Sequence, residues 1–167
     1  MLAQTIVLFA VPALLALAAG WDLASFTIPN VLSLVLIALF AAFVATAGMP
    51  LAAVGWHGLA GAVGLLVGFT LFAFGFVGGG DAKLFAGVAL WLGFGSLLDF
   101  ALAASLFGGG LALALLSLRS IPLPATLAGQ SWLIRLHDEK SGIPYGVALS
   151  AGALVVLPHT DVFRLAF

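Results

Sequence analysis

Long apolar runs, parted by short breaks, are the feature that leaves this chain the fewest ways to fold. No Lys or Arg occurs before Lys83. Runs of about 17 to 20 apolar residues are long enough to cross a bilayer as helices. Over the whole chain 64% of residues are hydrophobic and 7% are charged, and the mean hydropathy is +1.31. A soluble domain would carry about 25% charged residues, because its surface must face water. This chain has too few polar groups to coat a globule. At 167 residues it reads as one domain, an all-α polytopic membrane protein.

Six spans are predicted, over residues 2–20, 31–47, 56–76, 82–98, 100–118 and 144–157, with a polar loop over 119–143. The alternative for the first, a cleaved signal peptide ending near Leu17-Ala18-Ala19-Gly20, lacks the basic n-region such a peptide needs. In the break over residues 21–30, Pro29 turns Ile28 away from helical geometry, and Asn30 or Ser25 is placed to cap a neighbouring helix. The third span carries Gly64 and Gly68 at the small-xxx-small spacing that lets membrane helices approach closely. Gly108-Gly109-Gly110 interrupts the fifth span and marks a close-packing or kink site. Within the polar loop, Ser131 to Lys140 predicts a short interfacial helix. Trp21 and Trp56 fit an interfacial aromatic belt.

Several function classes fall away. The net charge of -1 and pI near 6.2 identify no partner, and with no basic stripe nucleic acid is not expected. The absence of cysteine excludes disulfides, Cys-ligated zinc and a thiol nucleophile. No metal or other cofactor is expected.

Charge also orients the spans. With the N-terminus outside, the inner connections are residues 21–30, 77–83 and 119–143. Lys83, Arg119, Arg135 and Lys140, four of the five basic residues, then face the cytoplasm, as the positive-inside rule favours. Asp22 closes the first span and Asp81 opens the fourth, with two complete crossings between them. Both carboxylates therefore lie at one membrane surface. Ionisable groups at such a boundary are costly and read by default as functional.

Two aspartates at one depth suggest aspartic proteolysis. Carboxyls held a few ångströms apart do not both ionise easily and share a proton. The ionised member takes a proton from water while the protonated member polarises the scissile carbonyl. Gly78, Gly79 and Gly80, directly before Asp81, would leave room for an extended substrate backbone.

The motifs resemble a known family. Gly78-Gly79-Gly80-Asp81-Ala82-Lys83 is similar to the Gly-x-Gly-Asp-x-Lys signature of the type IV prepilin peptidases. Asp22 followed by Ile28-Pro29-Asn30 resembles that family's first catalytic aspartate and its Ile-Pro-Asn segment. Ile143-Pro144-Tyr145-Gly146 resembles its late Pro-aromatic-Gly segment. These features stand in the family's order. The resemblance implies an aspartic endopeptidase of the bacterial inner membrane that cuts the basic leader from prepilin or pseudopilin precursors on the cytoplasmic side. Asp22 and Asp81 would be the catalytic carboxylates; Gly78, Gly79, Gly80, Lys83, Ile28, Pro29, Asn30, Pro144, Tyr145 and Gly146 would bind substrate or support the site. The larger members carry a Cys-x-x-Cys domain linked to N-methylation. A chain without cysteine looks like the short form associated with Flp/Tad-type pili, and methyltransferase activity is not expected. Ala24-Ser25-Phe26-Thr27 stands where basic residues are common in the family.

The other polar residues read as structural. Residues two apart do not face each other on a helix, so Lys83 is expected to reach lipid head groups rather than pair with Asp81. Asp99 is expected to be a turn or cap at the outer boundary, and His57 and His159 to be structural there. Adjacent His137, Asp138 and Glu139 read as solvated interface rather than metal ligands. Two other classes fit the same chain: a small ion-coupled transporter with Asp22 and Asp81 beside broken helices, and a non-catalytic subunit of a pilus or secretion assembly.

Overall fold

The first apolar run folds as α1 (Leu2–Ser25). A single π-turn at Ile6–Ala10 lies just before Pro12, whose ring crowds the carbonyl four residues back; a wider turn relieves that clash. α1 stops where Phe26 turns left-handed (φ 55°) and its N–H closes on the Asp22 carbonyl at 2.7 Å. After an extended Pro29, α2 (Asn30–Ala47) runs until Gly48, also left-handed at φ 67°. Pro50 precedes α3 (Leu51–Ala73). Next come α4 (Gly79–Leu92) and α5 (Leu97–Arg119). The chain ends in α6 (Ser131–His137), α7 (Tyr145–Val156) and α8 (Asp161–Ala166). This computed structural model describes residues 1–124, 126 and 129–167, and no strand occurs among them.

The protein is an all-α polytopic membrane protein. Among the described residues, α1, α2, α3, and α5 with the turn before it, are long and apolar enough to cross a bilayer. α4 and α7, two of the predicted spans, are shorter. At 14 and 12 residues they rise about 21 and 18 Å, against a hydrocarbon core of about 30 Å. The fourth helix stops early because Gly93 adopts φ 70° and a 3-10 turn, Phe94–Ser96, follows. Asp99 consequently lies in the first turn of α5, exposed, where a carboxylate suits the helix dipole. Gly108-Gly109-Gly110 does not interrupt α5; Gly108 packs on α7 instead.

The short helices form the centre. α4 packs on α2, α3 and α7, and α7 packs also on α1 and α5. The seam between α3 and α4 is as close as the glycine spacing predicts. A Cβ on Gly64 would lie 2.7 Å from that of Ala89, and one on Gly68 would lie 2.9 Å from the Ala82 Cα. On the opposite side Trp91, 1% exposed, donates its indole N–H to the Leu36 carbonyl at 3.0 Å and packs on Phe40 and Phe43. His57 is buried, with Nδ1 2.8 Å from the Leu90 carbonyl and its ring against Phe40. These contacts pin α4 to both of its neighbours.

The polar segment is tied back to the bundle by arginines. Arg119 donates to the carbonyls of Leu136 and Gly142, at 2.9 and 2.6 Å, and Arg135 donates to the Ser25 carbonyl at 3.2 Å. The predicted helix over Ser131 to Lys140 ends at His137, because Asp138 accepts from the Lys140 N–H and the Ser141 hydroxyl and closes a turn. Ala125, Leu127 and Ala128 of the predicted 119–143 loop lie outside the described residues.

Candidate active site

Asp22 sits in the last turn of α1, 4% exposed. The end of α1 meets the start of α7, so the positive end of one helix faces the carboxylate of the other. The Gly146 N–H donates to Asp22 Oδ2 at 2.7 Å. A side chain at position 146 would not fit: its Cβ would lie 2.6 Å from the Ile28 Cδ1 and 2.8 Å from that same carboxylate oxygen. Pro144, itself fully buried, leads the chain into this approach.

Asp81 occupies the first turn of α4, 9% exposed. Its Oδ2 accepts the Gly78 N–H at 2.9 Å, the return half of a capping box, and glycine has no side chain to supply the other half. Its Oδ1 is buried with no hydrogen-bond partner among the described residues. A buried carboxylate oxygen left without a donor costs free energy, about 1–3 kcal/mol, that a bound polar group would recover.

Both aspartates line one cavity of about 270 Å³, together with Phe26, Thr27, Ile28 and the three glycines before Asp81. Ile28 is the wedge between them. A Cβ on Gly80 would lie 3.0 Å from the Ile28 Cβ and 3.1 Å from its backbone nitrogen, while the far end of the same side chain presses on Gly146. The room left by Gly80 and Gly146 is therefore filled by the protein's own chain, not kept open for a substrate backbone. Gly79 differs: its Cβ would meet only the edge of the Phe72 ring, at 3.5 Å.

The structure brings most of the sequence-predicted residues together. Lys83 donates to the Asn30 side-chain oxygen at 2.8 Å, which ties α4 to the start of α2. This is a local partner for the ammonium, where head groups were expected. Neither Asn30 nor Ser25 caps a helix: Asn30 is spent on Lys83, and the Ser25 hydroxyl bonds back to the Trp21 carbonyl and to Thr27. Tyr145 begins α7 beside Gly108 rather than lining the 270 Å³ cavity. Sequence reasoning missed Phe26 and Thr27 as lining residues. A left-handed phenylalanine carries no signal in a sequence, because a bulky residue at positive φ is held there only by its surroundings.

Chemically, the cavity offers two carboxylates on separate helices, each with one oxygen held by a backbone N–H, around a space large enough for water and a peptide group. That arrangement suits acid–base work on an amide. Comparison with curated proteins and with solved structures finds no match. Residues 9–113 match the type IV leader peptidase family, a stretch that holds both aspartates, Ile28-Pro29-Asn30 and Gly78 through Lys83 and stops before Ile143. Covering more than half of the chain, that match means that the protein belongs to the type IV leader peptidase family.

Proposed function

We propose that this chain is an aspartic endopeptidase that removes the basic leader of pilin-like precursors at the cytoplasmic face of the inner membrane. The family supplies leader-peptidase function in general terms; the dyad, the precursor and the membrane face are our reading. The observation that carries it is a single cavity lined by two buried carboxylates from different helices, one of them with an unpartnered oxygen.

The chemistry follows from the pair. One carboxylate takes a proton from a water held between them, and the oxygen of that water attacks the scissile carbonyl carbon. The other carboxyl, protonated, gives its proton to the carbonyl oxygen. When the tetrahedral intermediate collapses, the C–N bond breaks, the departing amine takes up the proton abstracted from water, and a hydroxyl of the intermediate returns its proton to the dyad as the carbonyl re-forms. The two protons belong to the dyad as a unit, so neither role is tied to Asp22 or to Asp81 alone. Gly146 and Gly78 hold the carboxylates in place through their N–H groups. The short-form, Flp/Tad-type assignment rests on the same motifs and on the lack of cysteine.

Asp22→Asn and Asp81→Asn, made separately, test the reading. Each variant should insert and fold, yet lose precursor cleavage by about 10²-fold or more, the usual size of a lost general acid or base. Precursor length in membranes is the readout. Continued processing by both variants would sink the proposal. An ion-coupled transporter would instead move an ion in proteoliposomes without cleavage, and an assembly subunit would tolerate both changes.

A further inference from the structure

Asp81 lines a second space. A cleft of about 480 Å³ lies between α3 and α5, over α4 and α7. α3 packs on α4 and α5 packs on α7, and the two outer helices share no comparable seam. The cleft is lined mainly by apolar and small residues, with Ser105, Tyr145 and Asp81 the polar ones. Asp81, one of whose oxygens is buried without a hydrogen-bond partner among the described residues, also lines the 270 Å³ cavity.

The cleft side of α5 is unlike the rest of that helix. Leu102, Leu106 and Leu113 are 61%, 76% and 68% exposed, the surface of a helix that meets acyl chains. Facing the cleft are Ala101, Ser105, Gly109 and Ala112, at helical spacing along about 16 Å of the axis. At Gly109 nothing among the described residues outside its own helix turn lies within 4 Å of where a Cβ would be, so none of them covers the seam there. Lipid needs no such flattening. Small residues let a second helix approach backbone to backbone in a membrane.

We propose that this cleft seats the apolar helix of the precursor, so that the bond joining leader to helix lies against Asp81. The proposal rests on the leader-peptidase reading and adds where the retained helix docks. The orphaned Asp81 oxygen then has a polar partner at the end of that helix. Recognition by the cleft is by shape, which suits a run of apolar side chains without charge.

The lack of native cysteine allows a direct test. The probe is a synthetic precursor with a basic leader, a glycine and an apolar helix of about 20 residues, carrying one cysteine in the helix. In an Asp22→Asn background, Ser105→Cys on the cleft should form a disulfide with the probe, and Leu106→Cys on the lipid side should not. In the otherwise native chain, Gly109→Leu should cut processing by at least about tenfold through filling the cleft, while Gly110→Leu, which also points into open space, should process normally. Equal cross-linking from positions 105 and 106, or normal processing by Gly109→Leu, would mean that lipid fills the cleft and would overturn the proposal. Self-linked Ser105→Cys chains would assign it to a second copy and overturn it too. Failure of the unmodified chain to shorten the probe would count against the peptidase reading, while the cross-link still reports docking.

Discussion

Gly79 and Gly80 are adjacent and identical, but their surroundings differ, and so should the effect of one methyl group. On Gly80 it would lie 3.0 Å from the Ile28 Cβ and 3.1 Å from its nitrogen, so the Ile28-Pro29-Asn30 segment would have to give by a few tenths of an ångström. On Gly79 it would make ordinary contact with a phenylalanine edge. Gly80→Ala is expected to shift Asp81 against Ile28 and lower precursor cleavage, by less than the roughly 10²-fold cost of a misplacement of about 1 Å. Gly79→Ala should cleave as the unmodified chain does, and parallel kinetics on the two variants decide this. The pattern Gly-x-Gly-Asp was legible in the sequence, and so was the pairing of Asp22 with Asp81. The reason for the second glycine was not legible, because the atoms that exclude a side chain there belong to Ile28, remote in sequence. Phe26 lay outside sequence reasoning for a related cause. Its left-handed backbone (φ 55°) depends on where α1 must end, and nothing in a phenylalanine announces it.

At the scale of elements, α4 is fixed by seams on opposite sides, and each seam has its own test. Gly68→Ala would drive a Cβ to 2.9 Å from the Ala82 Cα and carbonyl oxygen, one residue past Asp81. Overpacking of this kind costs about 1–3 kcal/mol, so the variant should unfold earlier on heating in detergent and lose activity. Gly58→Ala on the same helix meets nothing within 4 Å and should be neutral or slightly stabilising, since alanine is the better helix former. On the α2 side, Lys83→Met and Asn30→Ala remove the two ends of one exposed hydrogen bond. Their effects on melting should be small and non-additive, with a coupling of about 0.5 kcal/mol or more in a double-mutant cycle; strict additivity would count against the tie. Helix identity was legible from apolar run length, and a close helix approach at α3 from the spacing of Gly64 and Gly68, but not that α4 is the partner. The ends were less so. Gly93 was available as a stop signal, but an apolar run read by hydropathy continues through it to Leu98, and only its φ of 70° ends α4 at Leu92.

For the whole molecule, the proposed mechanism depends on which way the bundle sits in the bilayer. Two crossings by α2 and α3, both of spanning length, would return the chain at Gly79 to the side it left at Ser25, and the cavity shared by Asp22 and Asp81 fits two such crossings. That much followed from counting spans. What counting does not supply is the depth of the site. The acids lie at the ends of helices that meet in the core, and the short α4 and α7 gather them there, which no run length could specify. The side itself rests on charge: Lys83, Arg119, Arg135 and Lys140 lie at or beyond the ends that carry the dyad, and Arg164 alone lies elsewhere. Single cysteines placed in this cysteine-free chain test that orientation. Ser141→Cys, in the segment held by Arg119, should be protected from a membrane-impermeant thiol reagent in intact cells and react once the inner membrane is opened. Gly95→Cys, in the exposed turn before α5 with open space around it, should react without that treatment. The reverse pattern would put the dyad at the outer face and would refute the cytoplasmic cleavage site proposed above, leaving the pairing of Asp22 with Asp81 to stand on its own geometry.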